Sequence, residues 1–230
     1  MKGDEFMYTP RYYFSNNFKK YEELFRSKEH EVKHYKKGEY LCDIYDSMDT
    51  IFYIVSGTVK LSMLHPSGNE KNFSFHGKGT IQPFYYPSDC SLEHSVLLLA
   101  ICDVEVLAFK KDNFANIVKD NPELYETMLE GFVKMVNLLM YDTTNILFND
   151  GLVKICNFLY SCLMSSEFKD GVIRISQKDL SAIIGMNRTN TAKYLKLLRE
   201  KNIIKTSRNN ITILDEKNLL KQCSNELYKI

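Results

Sequence analysis

The run Ile175-Ser-Gln-Lys-Asp-Leu-Ser-Ala-Ile-Ile-Gly-Met-Asn-Arg-Thr-Asn-Thr-Ala-Lys-Tyr-Leu-Lys-Leu-Leu-Arg-Glu-Lys-Asn-Ile-Ile204 leaves this chain the least freedom to fold another way. Ser176 precedes a helical pattern and Asp179 stands three residues on, a near capping box with Asp in place of Glu. Leu180, Ile183 and Ile184 fall on one face of that helix, and Gly185 stands where a left-handed residue ends it. Met186 and Asn187 complete a short turn, and Asn187 can cap a second helix. The inner face of this second helix is Thr191, Leu195 and Leu198; its other side carries Arg188, Thr189, Lys193 and Lys196. A helix, a tight glycine turn and a helix with a basic, polar leading face make a helix-turn-helix.

Such a helix fits the major groove of B-DNA, where its first turns reach the base edges. Arg188 can donate two hydrogen bonds to a guanine, and Thr189 can touch a thymine methyl or a base edge. Asn190 either pairs with adenine or faces solvent. Ser176, Gln177, Lys193 and Lys196 suit phosphates, which position a protein without reading sequence. Beyond Ile204, Lys205 to Ile213 reads as a hairpin wing tipped by Asn209-Asn210, with Lys205 and Arg208 near a nucleic-acid backbone. Charge agrees: residues 151–230 hold 14 Lys+Arg against 7 Asp+Glu, or +7, while residues 1–150 hold 16 against 22, or −6. A basic half on an acidic chain is the footprint of a polyanion partner. The plainer alternatives are a helical hairpin with a solvated basic face, or an interaction module meeting a protein.

Upstream the pattern changes to short β-rich runs between glycine and proline breaks. Ile51–Val55 stops at Ser56-Gly57, Thr58–Met63 alternates, His65-Pro-Ser-Gly68 turns, and Asn72–Phe75 stops at Gly77 and Gly79. Val96–Ile101 and Val104–Phe109 close a set that predicts a sandwich or barrel. Before it, Met1 to Arg26 mixes aromatics with charges and predicts short helices. After it, Asn121-Pro122 opens a helix in which Tyr125, Met128, Phe132, Met135, Leu139, Asp142 and Ile146 recur in steps of 3 and 4. That is the 3.5-residue period of a two-helix seam, with Asp142 in an inward slot that would weaken it or fix its register. Asn149-Asp150-Gly151 interrupts the helix as a hinge, and Asp150 can cap an apolar helix from Leu152 to Met164.

Two hundred and thirty residues allow one large domain or two ordinary ones. There is no run of about 18 apolar residues and the opening Met1-Lys-Gly-Asp-Glu5 lacks a secretory pattern, so a cytoplasmic protein is expected. Six scattered cysteines without a C-x-x-C exclude a zinc ribbon, a thioredoxin site and a disulfide scaffold. Cys90 with Cys102, or Cys156 with Cys162, could form redox pairs; cysteine more often serves as a buried hydrophobe. His65, His76 and His94 are isolated, which argues against a cupin-like metal enzyme, and His76 is more readily a loop residue than a haem ligand. His30 and His34 lie in an apparent strand. No metal, haem or iron–sulfur cofactor and no enzymatic activity are expected.

At these residues the chain resembles the Crp–Fnr family of bacterial transcription regulators over roughly residues 31 to 214. The marks are Lys37-Gly-Glu39, Ile54-Val-Ser-Gly57, Gly68, Gly79 and Asp103-Val-Glu-Val-Leu107, then Ile175-Ser-Gln-Lys-Asp-Leu and Gly185-Met-Asn-Arg-Thr-Asn-Thr-Ala-Lys. The resemblance implies a two-domain α+β fold: an N-terminal segment (1–30), a jelly-roll (double-stranded β-helix) sensor (31–120), a dimerisation helix (121–149) and a winged helix-turn-helix (150–230). It implies a homodimer on a near-palindromic site in double-stranded DNA, with RNA polymerase as a partner if the protein activates. Arg188 matches the family's guanine-reading arginine, whereas Thr189 and Lys193 stand where many members carry glutamate and arginine. The nucleotide-binding elements depart further: Gly79-Thr-Ile is followed by Gln82-Pro-Phe84, and His94-Ser95 replaces an Arg-Ser pair. His94 is a poor substitute for a two-pronged, always-charged guanidinium. Cyclic AMP is therefore not the expected effector. A pocket for another small molecule would draw on Gln82, Phe84, Tyr85, Tyr86, His94, Ser95, Leu139 and Met140; a self-filled pocket would leave the protein effector-independent.

Overall fold

The computed structural model of the chain describes residues 11–43, 49–85, 96–164 and 171–224. They pack as two compact units, each taken over its described residues alone: 13–68 with 73–137, and 11–12 with 69–72 and 138–224.

Along the chain, with β6 and α3 each crossing from one unit to the other, come β1 (Tyr13–Phe14), a 3-10 turn (Lys19–Tyr21), α1 (Glu22–Ser27), β2 (Glu31–Tyr35), β3 (Tyr40–Cys42), β4 (Thr50–Ser56), β5 (Thr58–Leu64) and β6 (Glu70–Gly77). Then follow β7 (Ile81–Gln82), β8 (Val96–Ala100), β9 (Val104–Lys110), α2 (Lys111–Asp120) and α3 (Glu123–Phe148). The strands form one sheet ordered β1-β6-β5-β8-β3 and another ordered β2-β9-β4-β7. The run Ile51–Val55 is apolar throughout because β4 is covered on both faces. Its Phe52 and Ile54 join Leu41, Val59, Leu98 and Val106 in the core shared by the sheets. Its Ile51, Tyr53 and Val55 join Phe25, Leu107, Phe109, Phe114 and Leu124, which brings α1, α2 and α3 onto the sheet's other face. Such two-sided burial produces an unbroken hydrophobic run where one-sided burial produces alternation. Gly57 has φ +83°, and a Cβ there would stand 2.3 Å from the Asp103 carbonyl oxygen, so only glycine fits the β4–β5 turn.

The second unit continues with α4 (Gly151–Leu163), β10 (Val172–Arg174), α5 (Gln177–Ile184), α6 (Arg188–Glu200), β11 (Ile204–Ser207), β12 (Asn210–Ile213) and α7 (Glu216–Leu220). Three of these helix starts are capped as the sequence predicts: the Asp150 carboxylate accepts from Leu152 and Val153, the Ser176 hydroxyl from Asp179, and the Asn187 side chain from Asn190. Such caps satisfy backbone donors that a first turn leaves without partners. Gly185 ends α5 at φ +65°, as its place in the sequence predicts. The wing is a three-stranded sheet ordered β10-β12-β11, in which β10 is too short to announce itself in the sequence. Ser207 pairs with Asn210, so the tip is Arg208-Asn209 and not Asn209-Asn210. Asn209 takes φ +58°, which asparagine tolerates better than most residues.

α3 divides the expected seam: Tyr125 and Leu139 are exposed, but three of its positions are buried. Met128, Met135 and Asp142 are buried within the chain itself. Asp142 fills no slot toward a partner helix: it accepts a hydrogen bond from the Tyr12 hydroxyl at 2.9 Å and forms an ion pair with Lys71. Among the exposed apolar positions of α3, which also include Tyr125, Leu139 and Phe148, Leu129, Val133, Val136, Met140 and Leu147 are between 52% and 69% exposed and share a 4-3-4-3-4 spacing that polar Thr143 completes. A helix covered by its own fold on one side and apolar on the other carries two such repeats, and the periodicity of the sequence singles out the inner one.

Candidate nucleic-acid interface and ligand cavity

α6 is seated by Thr191, Leu195 and Leu198, all buried. With that face fixed, the helical period turns Thr189, Lys193 and Lys196 outward, four and three residues apart. Arg188, Thr189 and Asn190 form the exposed first turn. Among the described residues no carboxylate forms an ion pair with Arg188, so its planar fork of donors stays available. Lys196 lies 3.8 Å from Glu200 in an exposed pair that is worth little in water. Gln177, Lys178, Lys205 and Arg208 are exposed as well, on α5 and the wing. Ser176 is half-buried; its hydroxyl donates to the Asp179 carboxylate at 2.6 Å and accepts from that residue's N–H, which commits it to the cap. Lys178, absent from the residues expected at phosphates, is exposed beside Gln177 on α5 and pairs with Glu70 at 3.6 Å. Its position at the start of a helix already legible in the sequence is signal enough.

The first unit holds a cavity of about 20 Å³ bounded by Phe14, Phe18, His76, Gln82, Phe84 and Phe132, among others. Gln82, Phe84 and Tyr85 line it. Leu139 and Met140 do not; both are exposed, and α3 contributes Met128, Gly131 and Phe132 instead, about two to three turns earlier. Tyr86, His94 and Ser95 lie outside the described residues, as does Cys90.

His76 is not the loop residue that its neighbouring glycines predict. It sits in β6, 1% exposed, because the pleat that turns Phe75 one way turns His76 the other. Gln82 Nε2 lies 3.0 Å from His76 Nδ1, and Ser74 Oγ lies 2.8 Å from His76 Nε2. An amide nitrogen only donates, so Nδ1 accepts and Nε2–H donates to Ser74. Phe14 stacks on the imidazole at 5.3 Å and Phe84 meets it edge-on at 6.2 Å. Burial without a counter-charge pushes the imidazole pKa down from 6.5 to about 3. Gln82 Oε1 and Ser62 Oγ are buried without hydrogen-bond partners.

The shift has a measurable consequence. Between pH 6.5 and about 3 the unfolded chain takes a proton on residue 76 that the folded chain refuses. The stability this residue contributes is whole above pH 6.5 and declines as pH falls toward 3. From pH 7 to 5 the loss is about 2 kcal/mol. A His76→Gln chain should show a urea midpoint that falls less over that interval; equal falls would contradict the neutral imidazole.

Among the described residues no three His, Cys, Asp or Glu side chains cluster to hold a metal. Cys156 and Cys162 are buried free thiols whose pKa values burial raises, which moves them away from thiolate reactivity. No helix among the described residues is long and apolar enough to cross a membrane.

Comparison with known proteins adds two domain families. The cyclic nucleotide-binding domain matches residues 32–121 and the Crp-like helix-turn-helix domain matches residues 153–222. Among curated proteins none matches by sequence. Solved structures resemble the fold. The c-di-GMP responsive global regulator CLP of Xanthomonas campestris has a TM-score of 0.74 at 16% identity, covering 84% of this chain and 97% of its own. CprK complexed with OCPA has 0.69 at 16%, covering 89% and 96%. A Crp/Fnr-family transcriptional regulator of Thermus thermophilus has 0.63 at 16%, covering 84% and 97%.

Proposed function

From a chain that belongs to the Crp–Fnr family of DNA-binding transcription regulators, we propose a sequence-specific, non-enzymatic regulator that acts as a homodimer on a near-palindromic site and is switched by a small molecule in its β-roll. The observation that carries this reading is the exposed first turn of α6, where Arg188, Thr189 and Asn190 lead a helix held from behind by three buried residues. Phosphate contacts fall to Gln177, Lys193, Lys196, Lys205 and Arg208, with Lys178 added to them. Twofold pairing along α3 would set two such helices one DNA turn apart, about 34 Å. The 129–147 stripe repeats the heptad spacing that favours an identical helix as partner.

The effector acts by binding one arrangement of the paired reading helices better than another. Asn149–Gly151 serves as the hinge and α3 as the coupling element. CLP is c-di-GMP responsive and CprK forms a complex with OCPA, which supports small-molecule control on this fold. The proposed domains remain an N-terminal segment, a sensor to residue 120, a dimerisation helix to 149 and a winged reader beyond, in a cytoplasmic protein.

Selection from a random DNA pool tests the reading. The wild type should enrich a near-palindromic sequence. Arg188→Ala should lose about 1–3 kcal/mol of discrimination at one base step in each half-site while keeping the rest. A pool that stays random, or unchanged discrimination by Arg188→Ala, would refute the assignment.

A further inference from the structure

The cavity beside β6 and β7 is walled by rings and carries one hydrogen-bonding vacancy. Phe14 stacks on His76, Phe84 meets His76 edge-on, and Phe84 leans on Phe132 with ring centroids 4.9 Å apart. Gln82 is 1% exposed; its amide nitrogen is spent on His76 while Oε1 has no partner. A buried acceptor left this way in a native fold calls for a donor from outside the chain. No charged side chain lines the cavity among the described residues. An ion entering it would shed its hydration with no counter-charge to receive it.

The cavity's free volume of about 20 Å³ takes a water and not a ring, so a ring is admitted only where the aromatic wall gives way.

We propose that this cavity takes an uncharged aromatic molecule of one or two rings that donates an N–H or O–H hydrogen bond to Gln82 Oε1 and enters by parting Phe84 from Phe132. The proposal rests on the reading of the chain as an effector-switched regulator and names the effector's class. It also supplies the path to the reader. Phe132 is on α3, next to Val133 of the exposed stripe, so a ring that displaces Phe132 presses on the helix that carries the dimer surface.

Titration calorimetry on the full chain with three probes tests it: indole, which has a ring N–H; benzofuran, nearly the same shape without one; and benzoate, an anion. Indole should bind saturably, benzofuran about tenfold more weakly, and benzoate no better than benzofuran. Gln82→Leu should erase the preference for indole, a ratio taken within one variant and so independent of its overall stability. Should Gln82→Leu not fold, Phe132→Ala, which opens the contact, should strengthen indole binding and keep the preference. Equal binding of indole and benzofuran, tighter binding of benzoate, or binding of none of the three overturns the proposal. The random-pool selection on the same protein separates the levels. Enriched DNA with failed probe discrimination sinks the effector class alone; an unenriched pool sinks the regulator reading beneath it.

Discussion

A Val136→Glu chain is expected to sediment as a monomer and to bind the selected DNA about 10³-fold more weakly than the wild type, close to its affinity for random sequence. Val136 is 52% exposed in the single chain. A glutamate there meets water in the monomer and costs within about 0.5 kcal/mol, as surface substitutions usually do. In a twofold pair the same residue occurs on both helices, because such an interface uses one patch twice. Two carboxylates would then be drawn out of water in a seam formed by Leu129, Val133, Met140 and Leu147. Each loses several kcal/mol of hydration without a cation to replace it. The loss passes to DNA because each reading helix alone sees half a site. The contrast lies in Met135→Glu: Met135 is buried within its own fold, so that variant should lower the thermal midpoint first. Analytical ultracentrifugation with a gel shift decides. A Val136→Glu dimer, or a wild type that is monomeric while bound to DNA with full discrimination, would remove α3 as the interface.

The reading half of the molecule is legible in the sequence because its signals are local. A cap, a left-handed glycine and a hydrophobic period lie within 30 residues, and Ser176, Gly185, Asn187 and Leu195 each do what their types dictate. The strands around Ile51, Thr58 and Val104 are legible for the same reason. α2 is not, because Lys111–Asp120 buries only Phe114, Ile117 and Val118 in ten residues and reads as a polar connection. The cavity is half legible. Gln82 and Phe84 stand where the family places its ligand-binding turn, but β1, 62 residues before β6, delivers Phe14 to His76 by parallel pairing that no local pattern encodes. The α3 register misleads because both faces of the helix are apolar at 3.5-residue spacing. Choosing between them needs the partner of Asp142, which is Lys71, 71 residues away in the chain.

That partnership sets the other large expected effect. Asp142→Asn should lower stability by about 3–5 kcal/mol, the cost of leaving one charge of a buried pair without its opposite. Asp142 is 4% exposed and Lys71 is mostly covered. Burial lowers the Lys71 pKa, and Asp142 pulls it back up. Tyr12 donates to the same carboxylate, and burial together with that carboxylate holds the phenol's pKa well above its ordinary value. Lys71 donates further to the carbonyl of Ile183 in the last turn of α5, where a cation suits the helix dipole. Removing the carboxylate charge therefore leaves a mostly covered ammonium with carbonyl partners but no counter-charge at the end of the helix that leads into the reading turn. The expected readout is a fall in urea midpoint of about 1 M or more, given slopes of ~1–3 kcal/mol per molar urea for small proteins. Replacing both members, Asp142→Leu with Lys71→Met, should recover much of the loss, since a buried pair gains little over apolar residues of similar volume. Stranded charge and lost packing thereby separate. If Asp142→Asn stays within about 1 kcal/mol of the wild type, or the double variant falls as far as the two singles together, the pair is not the electrostatic unit its geometry describes.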